Sequence, residues 1–131
     1  MRLLNKLGNY EEALNVSNEL LAFFPDNPIF IYNQGAILHK LKRNEEGIQY
    51  IVKAIALNEN PCKEWLRDKG LILFHLEKYQ EAIVEYDKVL SQELKNHIIL
   101  AYKASALVGI KKYDEALKLL EDVLAIDTIL N

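Results

Sequence analysis

Histidines and a carboxylate pair are the residues whose types and spacing could support chemistry. His39 and His75 fall at nearly equivalent places on two successive predicted helices, so the imidazoles could approach each other. A zinc site would require two further ligands in tetrahedral geometry, and the sequence supplies none nearby. A solvated or hydrogen-bonded histidine is therefore the default interpretation, and we predict no metal or other cofactor.

Two carboxylates and the single cysteine are the other chemical candidates. Glu64 and Asp68 are four residues apart on one side of a helix, as in an acid–base pair, but nothing implies burial. Cys62 has only a helix N-terminus and Lys63 nearby, so a bystander thiol is the simpler interpretation. No phosphate-binding glycine loop, nucleophile elbow or zinc-protease motif occurs. The sequence thus predicts no enzyme.

Composition narrows the class of protein further. Of the 131 residues 50% are hydrophobic and 27% charged, which is enough for a packed core and a soluble surface. The net charge of −3 disfavours nucleic acid as a partner, because phosphate contacts demand a basic excess. One cysteine excludes an internal disulfide and favours a reducing compartment. No signal peptide or membrane-spanning run is present, so we expect a cytoplasmic protein.

The elements that would position these side chains form a repeat. One short motif, most clearly Tyr-x-x-Ala, recurs with its last, small residue displaced by 34, 35 and 34 positions. Those small residues are Ala13, Gly47, Ala82 and Ala116.

Apolar residues at spacings of three and four place two amphipathic helices in each repeat. Glu85 is the one discordant member of these stripes. The spacing predicts first helices over 28–41, 63–76 and 97–110, and second helices over 10–23, 44–58, 79–92 and 113–126. Joined by short turns, such helices form antiparallel hairpins, so the predicted fold class is all-α.

Small residues at fixed repeat positions mark the predicted helix crossings. Gly35 and Gly70 lie on first helices, and Gly47 lies on a second helix where the other repeats have alanine. We therefore expect the crossing to tolerate a methyl group, so that Gly47→Ala gains up to ~1 kcal/mol of helix propensity.

The period, the glycine of the first helices and the Tyr-x-x-Ala openings at Tyr10, Tyr79 and Tyr113 together resemble the tetratricopeptide repeat. The resemblance covers a single array over residues 1–131, with a partial repeat at 1–27 and complete repeats at 28–61, 62–96 and 97–131. It implies a right-handed α-solenoid of antiparallel helix hairpins. Asn44 replaces the usual tyrosine in the second repeat, and Trp65 stands one residue earlier than the family's usual aromatic.

In that family the first helices line a concave groove, which implies where a partner would bind. The aromatic members of this set fit a packed core equally well, since helical spacing does not separate two apolar faces. The partial first helix would add Arg2, Asn5 and Lys6. The predicted groove residues are Tyr32, Asn33, His39, Lys40, Arg67, Asp68, Phe74, His75 and Tyr102.

These features predict a scaffold that binds a peptide or protein segment. The expected segment is extended, partly apolar and modestly acidic. The alternative is a regulatory or substrate-recruiting segment of a larger enzyme or assembly whose active part lies outside this chain. The family's clamp for chaperone tails is disfavoured, because Glu64 and Asp68 would repel a carboxylate. A repeat-type RNA reader is disfavoured by the net negative charge.

The ends of the array predict uncovered apolar surface. Residues 1–7 suffice for about two turns of a first helix, and the last hairpin lacks a polar capping helix. We expect the chain to be a piece of a longer protein, or else to associate with itself. The apolar residues expected to be partly exposed are Leu117, Leu120, Leu124 and Ile126.

Overall fold

The computed structural model describes the backbone of residues 2–58 and 60–130 and the side chains of residues 8–58 and 60–125. All regular structure in those ranges is α-helical, which confirms the predicted fold class. The helices are α1 (Arg2–Phe23), α2 (Pro28–Lys40), α3 (Asn44–Leu57), α4 (Lys63–His75), α5 (Tyr79–Leu90), α6 (His97–Gly109) and α7 (Tyr113–Leu130).

Helices α2 to α7 begin at the predicted residues because their starts are encoded locally. The side chain of Asn27 accepts hydrogen bonds from the backbone N–H groups of Ile29 and Phe30, and Pro28 occupies the first turn of α2. Asn96 caps α6 in the same way. Each first helix ends one residue before its predicted end.

The predicted partial first helix at the N-terminus is wrong. Helix α1 runs without a break from Arg2 through Gly8 to Phe23, so residues 2–7 extend the second helix of that repeat. Extending α1 adds a hydrogen bond for each residue fixed and requires no second helix to nucleate. The side chains of Arg2, Asn5 and Lys6, like that of Ile126, lie outside the described residues.

The chain divides into two compact units, Met1–Trp65 and Leu66–Asn131. In the first unit α2 packs against both α1 and α3. Half-buried Leu21, Tyr32, Tyr50 and Ile55 surround its core. The centre of this core consists of Ile31, Ala54 and Trp65.

The second unit has its own core, in which α6 packs against both α5 and α7. Helix α4 contacts α5 through the rings of Phe74 and Tyr79, whose centroids are 5.4 Å apart. The buried residues of this core are Ile83, Ala104, Ala106, Leu107 and Ala116.

Backbone contact at the α2–α3 crossing overturns the expectation for Gly47. A Cβ at Gly47 would lie 2.9 Å from the carbonyl oxygen of Gly35, and a Cβ at Gly35 would lie 2.8 Å from the carbonyl oxygen of Gly47. Backbone oxygens cannot rotate away as a flexible side chain can. Gly47→Ala is therefore expected to destabilise the protein, although alanine stands at this repeat position elsewhere.

Turns of identical geometry join each first helix to its second helix. Lys42, Glu77 and Lys111 adopt left-handed backbone conformations with φ of 63°, 62° and 65°. The next N–H donates to a carbonyl five residues back, which satisfies a carbonyl at the helix end. These bonds join Arg43 to Leu38, Lys78 to Leu73 and Lys112 to Leu107, each at 2.8 Å.

The discordant Glu85 is buried within the apolar stripe of α5. Its carboxylate lies 3.1 Å from Nζ of Lys88 on the same helix and 3.6 Å from Nζ of Lys69 on α4. A buried carboxylate needs such partners, because removing an unpaired charge from water is costly. Glu85 therefore occupies the buried position that the stripe predicts, and its ion pair with Lys69 links α4 to α5.

Candidate partner-binding surfaces

The α2 surface carries four of the predicted groove residues: Tyr32, Asn33, His39 and Lys40. Asn33 and Lys40 are exposed, and Tyr32 and His39 are half-buried. The ring of Tyr32 stacks on Trp65, with centroids 4.8 Å apart and planes 13° from parallel. Tyr32 therefore supports the core of the first unit as well as bordering this surface.

The α4–α6 surface of the second unit carries the other five: Arg67, Asp68, Phe74, His75 and Tyr102. Phe74 on α4 and Tyr102 on α6 meet edge to face, with centroids 5.9 Å apart. Both rings are half-buried, so each packs within the second unit and keeps part of its surface accessible to solvent. These aromatics therefore contribute to packing and remain partly accessible.

Charged residues flank the Phe74–Tyr102 pair. Arg67 is exposed, and its guanidinium lies 3.4 Å from the carboxylate of Asp68, which is 15% exposed. This contact offsets part of the positive charge at that end of α4. His75 is exposed at the other end, with its ring 5.8 Å from that of Phe74. The surface is therefore apolar at its centre and polar at its edges.

An apolar depression between α1 and α2, which we call the α1–α2 groove, was missed by the sequence analysis. It has a volume of about 420 Å³, and of the predicted groove residues only Asn33 lines it. Val16 and Leu20 belong to the apolar stripe of α1. The sequence pattern of such a stripe predicts a buried face whether or not another helix covers it. The full lining is Ala13, Val16, Ser17, Leu20, Phe30, Asn33, Ala36 and Ile37.

Tyr86 is the most deeply buried tyrosine of the second unit. Its side chain is 0% exposed, and the described residues offer its hydroxyl no hydrogen-bond partner. Burial, and to a lesser extent the nearby Tyr102, raise the pKa of Tyr86 above its ordinary value. The ring fills the space beside Gly70, where a Cβ would lie 2.6 Å from the Tyr86 ring. Tyr86 is therefore a packing residue with no route to a ligand.

The residues considered for chemistry are exposed or half-buried and do not form a common site. Nδ1 of His39 lies 2.8 Å from Oδ1 of Asn44, and Glu64 and Cys62 are exposed. Among the described side chains, no three His, Cys, Asp or Glu residues converge as a metal site would require. In the same part of the chain, no helix combines the length and apolarity needed to cross a membrane.

Family comparison agrees with the repeat and with the hairpins. A family profile described as the tetratricopeptide repeat matches residues 30–61, and a second profile of the same description matches residues 50–94. The chain is a tetratricopeptide repeat protein.

Curated relatives with such repeats are much longer proteins. The chain is 29% identical over 92 residues to human DnaJ homolog subfamily C member 7, a match covering 67% of this chain and 18% of that protein. It is 31% identical over 91 residues to human RNA polymerase II-associated protein 3, covering 70% of this chain and 14% of that protein. The chain thus spans less than a fifth of these relatives.

Solved structures show the same fold. MamA from Desulfovibrio magneticus has a TM-score of 0.84 at 20% identity, covering 97% of this chain and 71% of that one. YrrB, described as a tetratricopeptide repeat protein with an unusual peptide-binding site, has a TM-score of 0.81 at 18% identity. That match covers 97% of this chain and 65% of YrrB. The hairpins of this chain therefore follow the tetratricopeptide repeat fold.

Proposed function

We propose that the chain is a protein-interaction scaffold that binds a peptide or protein segment along its first helices, and that it is not an enzyme. The observation that carries this proposal is the α4–α6 surface, where Phe74 and Tyr102 meet at 5.9 Å between exposed Arg67 and His75. Aromatic residues with arginine nearby are the usual anchors of binding hot spots. The half-buried rings lose little conformational freedom on binding, because packing already fixes them.

The proposed ligand is an extended segment that is partly apolar and modestly acidic. Apolar side chains of the ligand would cover the exposed edges of Phe74 and Tyr102, and acidic ones would face Arg67. On the α2 surface the exposed Lys40 and Asn33 offer a cation and an amide in the same way. Charges at the edge of an interface speed encounter and set register more than they add affinity.

A protein of the same fold supports peptide binding as the mode of interaction. YrrB is described as having a peptide-binding site, and it shares the hairpin fold at a TM-score of 0.81. Its identity to this chain is 18%, so no individual contact is carried over. The proposal that the α4–α6 and α2 surfaces bind a partner is supported by the geometry of this chain alone.

A pull-down with matched variants tests the α4–α6 surface. Ser105 lies three residues after Tyr102 and thus on the same side of α6. Ser105 and Arg67 are both exposed, so Arg67→Glu with Ser105→Glu changes the α4–α6 surface without removing a packed side chain. We expect this variant to lose roughly tenfold or more of each specific partner that wild type captures from source-cell lysate. Val84→Glu on α5 is the control and should retain them. Equal capture by both variants would contradict the proposal.

A recruiting segment of a larger enzyme or assembly is the second candidate function. The observation favouring it is that the chain spans only 18% and 14% of two curated relatives. An antibody against this chain separates the candidates in source-cell extract. A band near 15.1 kDa supports a self-standing scaffold, and a much larger band supports the recruiting segment.

Self-association through α7 is a further proposal for partners. Leu117, Leu120 and Leu124 are 58%, 43% and 66% exposed, so an apolar stripe follows this helix. We expect light scattering to show association that rises with concentration and disappears in Leu117→Glu with Leu120→Glu. Leu94→Glu, at a residue 76% exposed outside the stripe, is the control and should associate as wild type does. A monomer at every concentration would contradict this proposal.

The proposed location is the cytoplasm. A single cysteine, Cys62, is exposed and forms no internal disulfide, which suits a reducing compartment. Fractionation of source cells with the same antibody tests this location, and recovery from an oxidising compartment would contradict it.

A further inference from the structure

Helix α4 carries a cation and an aromatic ring on one side, which we call the α4 face: Arg67, Leu71 and Phe74. Arg67 and Phe74 are seven residues apart, so they lie on the same side of the helix, separated by two turns. Their backbone positions are ~10 Å apart along the helix axis, at ~1.5 Å per residue. Half-buried Leu71 occupies the turn between them. The two anchors are therefore held at a fixed separation.

The exposure of the α4 face does not depend on where the sequence begins or ends. In the chain, α2 and α3 precede α4, and α6 and α7 follow the hairpin that α4 forms with α5. The side chain of Arg67 is nevertheless 45% exposed. Phe74 packs against Tyr102 of the following hairpin and is still only half-buried. The α4 face thus remains accessible with hairpins before and after it in the sequence.

The two anchors differ in the side chain that each would bind. The contact of Arg67 Nη2 with Asp68 Oδ1, at 3.4 Å, uses one of the five N–H donors of the guanidinium. The other donors suit a ligand carboxylate, which arginine binds with charge-assisted hydrogen bonds. A second acidic residue nearby would be repelled by Asp68. The accessible part of the Phe74 ring suits an apolar side chain. The α4 face therefore fits one acidic and one large apolar residue.

The distance between the anchors selects the spacing of those two residues in an extended ligand. In a polyproline II segment, residues three positions apart point to the same side and lie ~9 Å apart. In a β-strand, residues on the same side are two or four positions apart, at ~7 or ~13 Å. Only the polyproline II spacing is close to the ~10 Å between Arg67 and Phe74.

We propose that the α4 face recognises one acidic and one large apolar residue, three positions apart, in a polyproline II segment of the ligand. The acidic residue pairs with Arg67, and the apolar residue contacts Phe74. This spacing rests on the proposed function, since it describes the ligand of the same surface. A polyproline II segment is already extended before it binds, so little conformational entropy is lost on binding.

Fluorescein-labelled peptides test the spacing on the full chain. Each peptide has a proline-rich background, which favours polyproline II, and carries one Glu and one Phe. The two residues are separated by two, three, four or seven positions, in both orders. We expect the tightest peptide with a separation of three to bind roughly fivefold or more tightly than peptides with other separations, because only this separation engages both anchors. Fluorescence anisotropy measures the binding.

A charge reversal locates the acidic residue of the ligand. Arg67→Glu should weaken binding of the separation-three peptide by roughly fivefold or more, and should bind the same peptide with Lys in place of Glu more tightly than wild type does. Arg43→Glu is the matched control, because Arg43 lies outside α4 and its side chain is 44% exposed, against 45% for Arg67. This control should bind the Glu peptide as wild type does. Both variants change the net charge equally, so a difference between them reports the position of the charge.

Nuclear magnetic resonance locates the apolar residue without altering a packed side chain. Addition of the separation-three peptide should shift the ring signals of Phe74 and Tyr102, which are in contact with each other. The ring signals of Tyr113, which is 59% exposed on α7, should stay in place. Ring signals that shift only at Tyr113 would place the ligand elsewhere and overturn the proposal.

Four further results would overturn the proposed spacing. They are equal binding at all separations, no binding of any peptide, unweakened binding of the Glu peptide by Arg67→Glu, and tightest binding at another separation. A preference for seven positions would indicate a helical ligand, because residues seven apart share one side of an α-helix. The proposed function fails by a different result, which is capture of the same partners by wild type and by Arg67→Glu with Ser105→Glu in the pull-down.

Discussion

Single residues determine how closely the helices of each hairpin approach. At the α2–α3 crossing the two glycines place backbone against backbone, and at the α4–α5 crossing Gly70 accommodates a tyrosine ring. Gly8 differs, since a Cβ there would meet nothing within 4 Å. Glycine in an exposed helix costs stability, whereas glycine at a crossing permits the packing that provides it.

Gly47→Ala and Gly8→Ala form a matched pair at this scale. Gly47→Ala should lower the free energy of unfolding by about 1–3 kcal/mol, because the new methyl meets the Gly35 carbonyl. Gly8→Ala should raise it by up to about 1 kcal/mol through helix propensity alone. Urea denaturation followed by circular dichroism measures both. Equal shifts in the same direction would show that the α2–α3 crossing is wider than described.

Tyr86→Phe tests the buried hydroxyl of the second unit. The substitution keeps the ring beside Gly70 and removes a hydroxyl without a partner among the described residues, so stability should rise by about 1–3 kcal/mol. The raised pKa of Tyr86 also predicts a pH dependence. The stability that the protonated Tyr86 side chain contributes is fully present below the ordinary tyrosine pKa of about 10. That stability is lost as the pH rises above this value, because the folded protein disfavours the charged phenolate.

The alkaline part of the stability profile separates Tyr86 from other tyrosines. Thermal melts from neutral pH to above the ordinary tyrosine pKa of about 10 should show a shallower alkaline decline for Tyr86→Phe than for wild type. Tyr113→Phe is the control, because Tyr113 is largely exposed and should leave the slope unchanged. If the two variants have the same slope, burial of the Tyr86 hydroxyl is not the cause.

At the scale of elements, the turns between first and second helices are the most regular feature of the chain. Lys42, Glu77 and Lys111 all adopt left-handed backbone conformations, and each is followed by the same hydrogen bond across the helix end. None is glycine, the residue that pays least for this conformation. No residue type at these positions therefore signals the left-handed geometry, and only the repeat predicts where the turns lie.

Lys111→Gly should stabilise the second unit by relieving this conformation. The left-handed region costs an L-residue about 1–2 kcal/mol, which glycine would not incur. Glycine also gains more conformational entropy in the unfolded chain, and this offsets part of the stabilisation. We expect a net increase of up to about 1 kcal/mol in urea denaturation. Lys112→Gly, one residue along and outside the left-handed set, should destabilise instead. A loss of stability in Lys111→Gly would contradict the turn assignment.

Most of the helical pattern was predictable because its signals are local. Asn27, Pro28 and Asn96 mark helix starts through capping and fixed φ, and the repeat carried the remaining boundaries. Helix α1 was mispredicted because the repeat suggested a turn near Gly8, whereas continuing one helix through Gly8 requires no second nucleation. Gly47 was misjudged because a residue's identity does not reveal whether its missing methyl would meet a side chain or a backbone oxygen.

The candidate surfaces were predictable only in part. The first-helix residues could be assigned to one face, but whether Tyr32 and Phe74 pack or face a ligand depends on neighbours distant in sequence. Both side chains are half-buried and pack against another ring, so each also keeps part of its surface exposed. The α1–α2 groove escaped prediction because Val16 and Leu20 obey the core pattern, and only the absence of a covering helix among the described residues exposes them.

At the scale of the whole molecule, the two units each contribute first-helix surface of mixed apolar and polar character. Their cores are separate, and their candidate surfaces retain exposed side chains that packing does not require, such as Asn33, Lys40, Arg67 and Ser105. Such positions can vary with the partner while the hairpins stay intact. We therefore propose that partners contact the first helices rather than the second helices.

Site-specific photo-crosslinking tests that claim most directly. A benzophenone amino acid is placed at Ser105 on α6 or at Val84 on α5, both exposed, and each protein is irradiated in source-cell lysate. We predict a covalent, light-dependent adduct with a discrete partner from position 105, none from position 84, and loss of the adduct when Arg67→Glu is added. An adduct formed from position 84 alone, or equally from both positions, would contradict binding along the first helices.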